Sequence, residues 1–312
     1  MEKILVTGAR GMLGSYIMEQ FREHDIKTLG LHNDSDYVCD LRKSSPDFSD
    51  DHFDTVIHAA GTEEESKAFP LNLEGTLNLI KGFGKNVPTN FVYISSYRVY
   101  SQDAGENITE EANLWADGNI GKSKANAEQE LRKWALDNNI TLTIIRPARM
   151  FGNGVAGETL RLFNDAVKGY YIHIRGNDAK VSVVTAYDVA RGIKKIYEGG
   201  GVYNAADGTN PRFIEMVESM SANAGAKKRM THLPAAWAEW LWRLAGRIPF
   251  INRNLSPAIV GERMKTLTLD GSRFADRAGI SYHDTLAVME HLDTDYPYSF
   301  DQKIKHQSVY EA

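Results

Sequence analysis

Cys39 is the only cysteine in the 312 residues. An intramolecular disulfide is therefore impossible, a single thiol cannot build a thiolate zinc site, and the expected location is a reducing cytoplasm. Long apolar runs are also missing. The best membrane candidate, 235–251 (AAWAEWLWRLAGRIPFI), carries Glu239, Arg243 and Arg247 and is too short to span a bilayer. No basic segment followed by an apolar core precedes Ile4, so no secretory signal is expected. Thirty-six basic against 41 acidic residues give a formal charge of −5, which leaves no broad basic field for nucleic acid. The nine histidines form no HExxH, and no metal site is expected. There is no Gly-x-Ser-x-Gly elbow, no GxxxxGK[ST] loop, no internal repeat and no low-complexity tract. The 42% hydrophobic and 25% charged residues are ordinary for a chain with a proper core.

The chain is organised around 3–14, KILVTGARGMLG. A β-rich run from Ile4 to Thr7 enters Gly8-x-x-Gly11-x-x-Gly14, and an amphipathic stretch, SYIMEQFREH, follows. A strand, a glycine turn and a helix in that order leave backbone N–H groups at a helix N-terminus, where the helix dipole attracts a dinucleotide pyrophosphate. Gly8 makes the tight turn, Gly11 lets the pyrophosphate approach, and Gly14 lets helix and strand pack closely. Met12 and Leu13, at the helix start between them, are further candidate cofactor contacts.

Apolar runs at 3–7, 27–31, 54–59, 90–95 and 141–146 are short and lack clean alternation, as strands buried on both faces do. Helical patterns lie between them, at 12–23, about 68–83, about 121–138 and about 157–168. This alternation predicts an α/β fold, a doubly wound parallel sheet of the Rossmann type. The strand–helix–strand pattern of 180–204 is expected to extend that sheet, and 212–224 to form another helix. The expected domains are a dinucleotide-binding unit at 1–225, a smaller substrate lobe at 226–298 and a loose tail at 299–312. Trp237, Leu241 and Leu244 recur at helical spacing in the lobe and read as a core face.

TGARGMLG, HAAG at 58–61, NLEGTLNLI at 72–80, ISSYRVY at 94–100, GKSK at 121–124 and IIRPARMFG at 144–152 together resemble the extended short-chain dehydrogenase/reductase family, the nucleotide-sugar epimerase, dehydratase and reductase group. The resemblance runs in order over residues 1 to about 205. It implies that Ala59, Ala60 and Gly61 let the dinucleotide lie against the backbone, that Asp40 with Leu41 sits at the adenine, and that Asn72 and Pro147 lie near the cofactor. The second strand ends in Leu31, His32 and Asn33 without the carboxylate that NAD binders place there; Asp34 and Asp36 come slightly late. Arg10, inside the turn, can meet a 2′-phosphate. The turn is similar to that of GDP-fucose synthases, which use NADP, and the reading leans to NADP over NAD. Arg149, and in the smaller lobe Arg229 or Arg263, are candidates for a substrate phosphate.

The family transfers hydride with a Ser or Thr, a Tyr and a Lys, the last two as Tyr-x-x-x-Lys on one helical face. Ser96 matches the serine and Lys124 the lysine, but the residue four before Lys124 is Ile120. No tyrosine lies between Tyr100 and Tyr170, so no shift of alignment supplies one. Two outcomes stay open. Another group, such as Tyr97, Lys124 or a water, takes over proton transfer in an NAD(P)-dependent oxidoreductase or epimerase acting on a nucleotide sugar; or the chain is a silent dinucleotide-binding sensor or scaffold. Relatives pair two helices into a dimer interface, and the stripes Leu73, Leu77, Ile80 and Ala127, Leu131, Trp134 make a homodimer an expected partner.

Overall fold

The computed structural model describes residues 1–100, 105–223, 230–234, 237, 261 and 263–292. In chain order its strands are β1 (Lys3–Thr7), β2 (Asp25–Gly30), β3 (Tyr37–Val38), β4 (Thr55–His58), β5 (Asn90–Ile94), β6 (Gly105–Ile108), β7 (Thr141–Pro147), β8 (Arg149–Phe151), β9 (Ile172–Ile174), β10 (Val183–Thr185), β11 (Gly201–Ala205), β12 (Thr231–Leu233) and β13 (Leu267–Leu269). Its α-helices are α1 (Met12–Gln20), α2 (Gly75–Gly82), α3 (Asn119–Asn138), α4 (Gly157–Lys168), α5 (Ala186–Ile196), α6 (Phe213–Ala222), α7 (Ser272–Ala278) and α8 (Thr285–Met289).

Seven strands form one parallel sheet in the order β11-β7-β5-β4-β1-β2-β3. The chain runs outward from β1 to β3 and then returns to β4 on the other side of β1. Such a reversal opens a crevice beyond the carboxyl ends of β1 and β4, where open α/β sheets bind ligands. Burial on both faces explains the missing alternation: Ile4 and Val6 enter one core with Tyr16, Val92 and Ile193, while Leu5 enters the other with Val56, Phe91 and Leu131.

Several details depart from the sequence pattern. The strand expected at 180–184 does not join the large sheet; β10 pairs in parallel with β8, which turns out of the sheet after Pro147 and Ala148, and only β11 extends the sheet, beside β7. The pattern VSVV marks a strand but carries no information about its partner. The helix expected at 68–83 begins as a π-helical turn at Phe69–Glu74, with Pro70 in its first turn, before α2. Ala127 and Leu131 of the α3 stripe are fully buried within the chain, and Leu73, Ile80 and Trp134 pack against the same core.

A second layer rests on Phe151, Leu162, Phe213, Met216 and Met289. Two further short parallel pairings are β12 with β9 and β13 with β6; Ile108 and Leu269 of the latter pack into the core that holds Ile4 and Val6. Arg229, Trp240, Leu241, Trp242, Leu244, Pro249, Pro257 and the tail 299–312 lie outside the described residues; Trp237 is exposed. Among the described residues, no helix is long and apolar enough to cross a membrane, and no three His, Cys, Asp or Glu side chains gather as a metal site would require.

Candidate active site

The glycine turn is built by exclusion. Gly8 has φ +71°, a left-handed conformation, and a Cβ there would stand 2.6 Å from the Ala60 nitrogen. A Cβ on Gly14 would stand 2.0 Å from the Gly8 carbonyl oxygen, so only glycine lets α1 lie this close to β1. Gly11 donates from its N–H to the Gly8 carbonyl (2.9 Å) and serves as N-cap of α1 without a side-chain acceptor. The first backbone donors of α1, starting at Met12, thus face the groove rather than a cap.

From this turn a groove runs both ways along the carboxyl edge of the sheet. On the β2 side it is walled by Gly8, Arg10, Gly30, His32, Asp40, Leu41, Ala59, Ala60 and Gly61. On the β5 and β7 side it is walled by Gly11, Met12, Leu13, Gly14, Gly61, Ser96, Tyr97, Ile120, Lys124 and Pro147. Arg10 donates from Nη1 to both Asp34 carboxylate oxygens (2.8 and 2.6 Å). Asp40 accepts from Nε and Nη2 of Arg42, both at 2.8 Å, and those hydrogen bonds hold its carboxyl at about 2.

Asn72 is fully buried, yet it does not wall the groove. Its Oδ1 accepts from the Thr62 N–H (2.8 Å), and its Nδ2 donates to the Thr62 carbonyl (3.1 Å) and Ser123 Oγ (3.2 Å). It ties the turn after β4 to α3. Behind the same turn, His58 is fully buried between the Thr7 and Thr76 hydroxyls, at 2.6 and 2.9 Å.

Lys124, in the second turn of α3, is 7% exposed. Its Nζ donates to the Ile94 carbonyl at 2.7 Å and lies 4.8 Å from the Tyr93 ring centroid. Burial pushes its ammonium down to about 8, against the pull of Glu128 and Glu63. A Cβ on Gly61 would come within 3.0 Å of this Nζ, so the small residue makes room for the lysine. Ile120 lies one helical turn earlier on the same groove wall, 4% exposed. Ser96 caps the 3-10 turn 97–99, its Oγ accepting from the Arg98 N–H at 3.2 Å.

Tyr97, Arg98 and Arg149 form the shared wall between the groove and a second pocket reaching Asp117, Ser182, Phe213 and Lys265. This region is rich in cations. Arg98 donates to Glu158 at 2.9 Å. Burial alone would raise the Glu158 carboxyl, but Arg149, Arg98, Arg161 and Arg263 outweigh it and hold the group low. Arg146, one strand residue before Pro147, has a different job. It is 2% exposed and grips the fully buried Glu128 through Nε (2.9 Å) and Nη2 (2.6 Å), with Nη1 on Tyr100 Oη at 2.8 Å.

Residues 4–206 match the family model described as the NAD dependent epimerase/dehydratase family. The chain belongs to that family. It is 26% identical over 251 residues to N-acetyl-alpha-D-glucosaminyl-diphospho-ditrans,octacis-undecaprenol 4-epimerase of Escherichia coli O157:H7, covering 75% of this chain and 76% of the relative. It is 26% identical over 274 residues to a UDP-glucose 4-epimerase of Vibrio cholerae, covering 79% and 82%. The UDP-glucose 4-epimerase of Thermus thermophilus in complex with NAD has the same fold, with a TM-score of 0.73 at 18% identity, over 96% of this chain and 100% of that one.

As a member of the epimerase/dehydratase family the chain is an NAD(P)-dependent enzyme of the extended short-chain dehydrogenase type. The cradle fits a dinucleotide, because Gly8 and Gly11 line the groove without side chains and the N-terminus of α1 has no side-chain cap. Of the sequence-predicted residues, the structure brings Gly8, Arg10, Gly11, Met12, Leu13, Gly14, Asp40, Leu41, Ala59, Ala60, Gly61, Ser96, Lys124 and Pro147 to one groove and sets Asn72 behind it. Sequence reading passed over Arg98, Arg161, Glu158 and Glu128. Glu128 carried a local signal: it follows Lys124 by one helical turn in GKSKANAE.

Proposed function

We propose that this groove binds NADP, in preference to NAD, and that the chain interconverts epimers of a sugar carried on a diphosphate. One observation carries the reading: the glycine cradle, Lys124 and Ser96 line one continuous groove that shares Tyr97, Arg98 and Arg149 with a neighbouring pocket. When bound, the nicotinamide accepts and returns a hydride at the sugar carbinol carbon. Gly11, Met12 and Gly14 supply backbone approach to the pyrophosphate, Lys124 holds the nicotinamide ribose, and Pro147 packs beside the ring. Asp40 and Leu41 flank the adenine, with Ala59, Ala60 and Gly61 beneath the dinucleotide. Ser96 donates to the reacting sugar oxygen. Arg98, Arg149 and Lys265 favour a diphosphate in the neighbouring pocket, the chemistry common to the nucleotide-linked and polyprenyl-linked sugars in the relatives' names; Arg263 is buried beside Tyr171 and does not line that pocket.

The NADP preference rests on Arg10 at the β2 end. Its ion pair with Asp34 joins side chains 37% and 56% exposed. Such a pair contributes at most about 1 kcal/mol, so a phosphate dianion can displace the carboxylate. A cytoplasmic location accompanies this reading, supported by the single cysteine. A homodimer would draw on the half-buried Leu73, Leu77, Ile80 and Trp134, since Ala127 and Leu131 are already covered.

Calorimetric titration with NADPH and NADH tests the core of the reading, followed by conversion assays with UDP-glucose and UDP-N-acetylglucosamine. Binding of NADPH more tightly than NADH, lost in Arg10→Ala, is the expected result; no binding of either removes the proposal. A second reading, a silent cofactor-binding sensor, is favoured by Ile120, which puts an apolar side chain on the groove wall beside Lys124. Cofactor binding without turnover of any sugar diphosphate would select it.

A further inference from the structure

An alcohol that gives up a hydride must also give up a proton, and few groups in this cavity can take one. Among the described residues of its wall, the side chains with acid–base chemistry are Glu63, Tyr97, Arg98, Lys124 and Arg149. Arginine does not release its proton in proteins. The Lys124 Nζ is turned to the Ile94 carbonyl at the end of β5. Glu63 lines the groove where it opens into an adjoining recess with Glu64, Gly157 and Arg161, and it does not line the second pocket. Ile120, on the groove wall beside Lys124, is inert.

Tyr97 remains, and its position suits the task. It directly follows Ser96 at the end of β5, and it faces both the groove and the adjoining pocket, so a sugar lying between cofactor and arginines passes its hydroxyl. Arg149 Nη2 stands 3.4 Å from the Tyr97 hydroxyl, and the Arg98 guanidinium lies 5.7 Å from its ring centroid. One cation, Arg149, is thus placed at the phenol oxygen, where negative charge develops, and a second, Arg98, lies over the ring.

We infer that Tyr97 is the proton-transfer residue of this chain, an inference that rests on the NAD(P)-dependent reading above. With Tyr97 entering as the phenolate, its own proton having first passed to solvent, the carbinol O–H proton passes to the phenolate oxygen as the C–H bond delivers hydrogen with its electron pair to the cofactor and the C–O bond becomes C=O. The return reaction takes the same proton back from Tyr97, so no other oxidant or base is consumed.

Tyr97→Phe keeps the ring and removes the hydroxyl. Two readouts decide the matter. In calorimetry on cofactor-free protein, UDP-glucose is expected to bind the variant about 2–10-fold more weakly while UDP, which lacks the sugar, binds both proteins alike, since one hydrogen bond is lost. Turnover of the cofactor-loaded protein is expected to fall about 10²–10⁴-fold with KM little changed. Ile120→Tyr in the Tyr97→Phe background, which returns a phenol to the same wall beside Lys124, is expected to recover at least part of that loss. Equal UDP-glucose affinity and turnover in wild type and Tyr97→Phe overturn the inference, as does a loss carried by Glu63→Gln instead. A wild type that binds cofactor but neither binds nor converts a UDP-sugar also overturns it, and one that binds no cofactor removes the parent reading.

Discussion

Lys124 shows what burying a charge on a groove wall costs. Its ammonium is buried against Ile94, and burial lowers its affinity for the proton from 10.5 to about 8. Between those values the unfolded chain binds more protons than the folded one, so the contribution of this residue to stability rises with pH across that window and is smallest below about pH 8. The size of the effect is on the order of 3 kcal/mol. Urea unfolding of the cofactor-free protein at pH 7.5 and pH 10 should show wild type gaining stability relative to Lys124→Met as pH rises; parallel behaviour of the two would mean that the lysine is solvated. A charge kept at such expense beside a glycine cradle is consistent with a polyphosphate ligand at the same groove. The buried Glu128 beside Arg146 has a structural part. It is locked by two charge-assisted hydrogen bonds, which makes it part of the frame that holds α3 against β7.

At the scale of elements, the β1–α1 unit separates two roles that the three glycines combine. A Cβ on Gly14 meets backbone at 2.0 Å, so Gly14→Ala forces α1 away from β1. The expected cost is about 1–3 kcal/mol or more, with cofactor binding lost along with the helix position. A Cβ on Gly11 meets the Gly8 oxygen at 3.2 Å, a contact that a small shift relieves. Gly11→Ala should therefore melt close to wild type while binding NADPH much more weakly, because its methyl group stands in the path of the pyrophosphate. Thermal melts paired with calorimetry check both variants, and equal losses of stability would refute the division. The same unit explains what could be read without coordinates. Strand, glycine turn and helix are adjacent in sequence, so their spacing alone dictates the cradle, and Ser96 and Lys124 carry recognisable neighbours. The arginine cluster is legible only in part: Arg149 and Arg263 stand out as phosphate candidates, but nothing in the sequence joins them to Arg98, Arg161 and Glu158. Arg98, Arg149, Arg161 and Arg263 come from a post-β5 turn, β8, α4 and the segment before β13, and only tertiary packing brings them around Glu158. Asn72 is legible as a helix position beside the groove, but its bonds to Thr62 and Ser123, one of them on another helix, belong to the tertiary fold.

For the whole molecule, the groove draws residues from the carboxyl ends of β1, β2, β4, β5 and β7 and from α3. These are strands of one hydrogen-bonded sheet, so a ligand across them couples to global unfolding rather than to the opening of a single loop. The apolar runs that predicted the parallel sheet did so because each strand is covered on both faces, whereas the smaller β8–β10 pairing depends on an edge that only the finished fold creates. Ligand linkage then gives a quantitative expectation. NADPH at a hundred times its Kd should stabilise the folded chain by about 2.7 kcal/mol. Spread over the unfolding entropy of a chain this size, that corresponds to a rise in Tm of about 4 °C. The shift should appear as one displaced transition by scanning calorimetry, grow with the logarithm of NADPH concentration, and shrink in Lys124→Met and Gly11→Ala. A melt unmoved by saturating NADPH and NADH alike would mean that the groove does not hold a dinucleotide in the folded state, and the assignment of hydride chemistry to Ser96, Tyr97 and Lys124 would go with it.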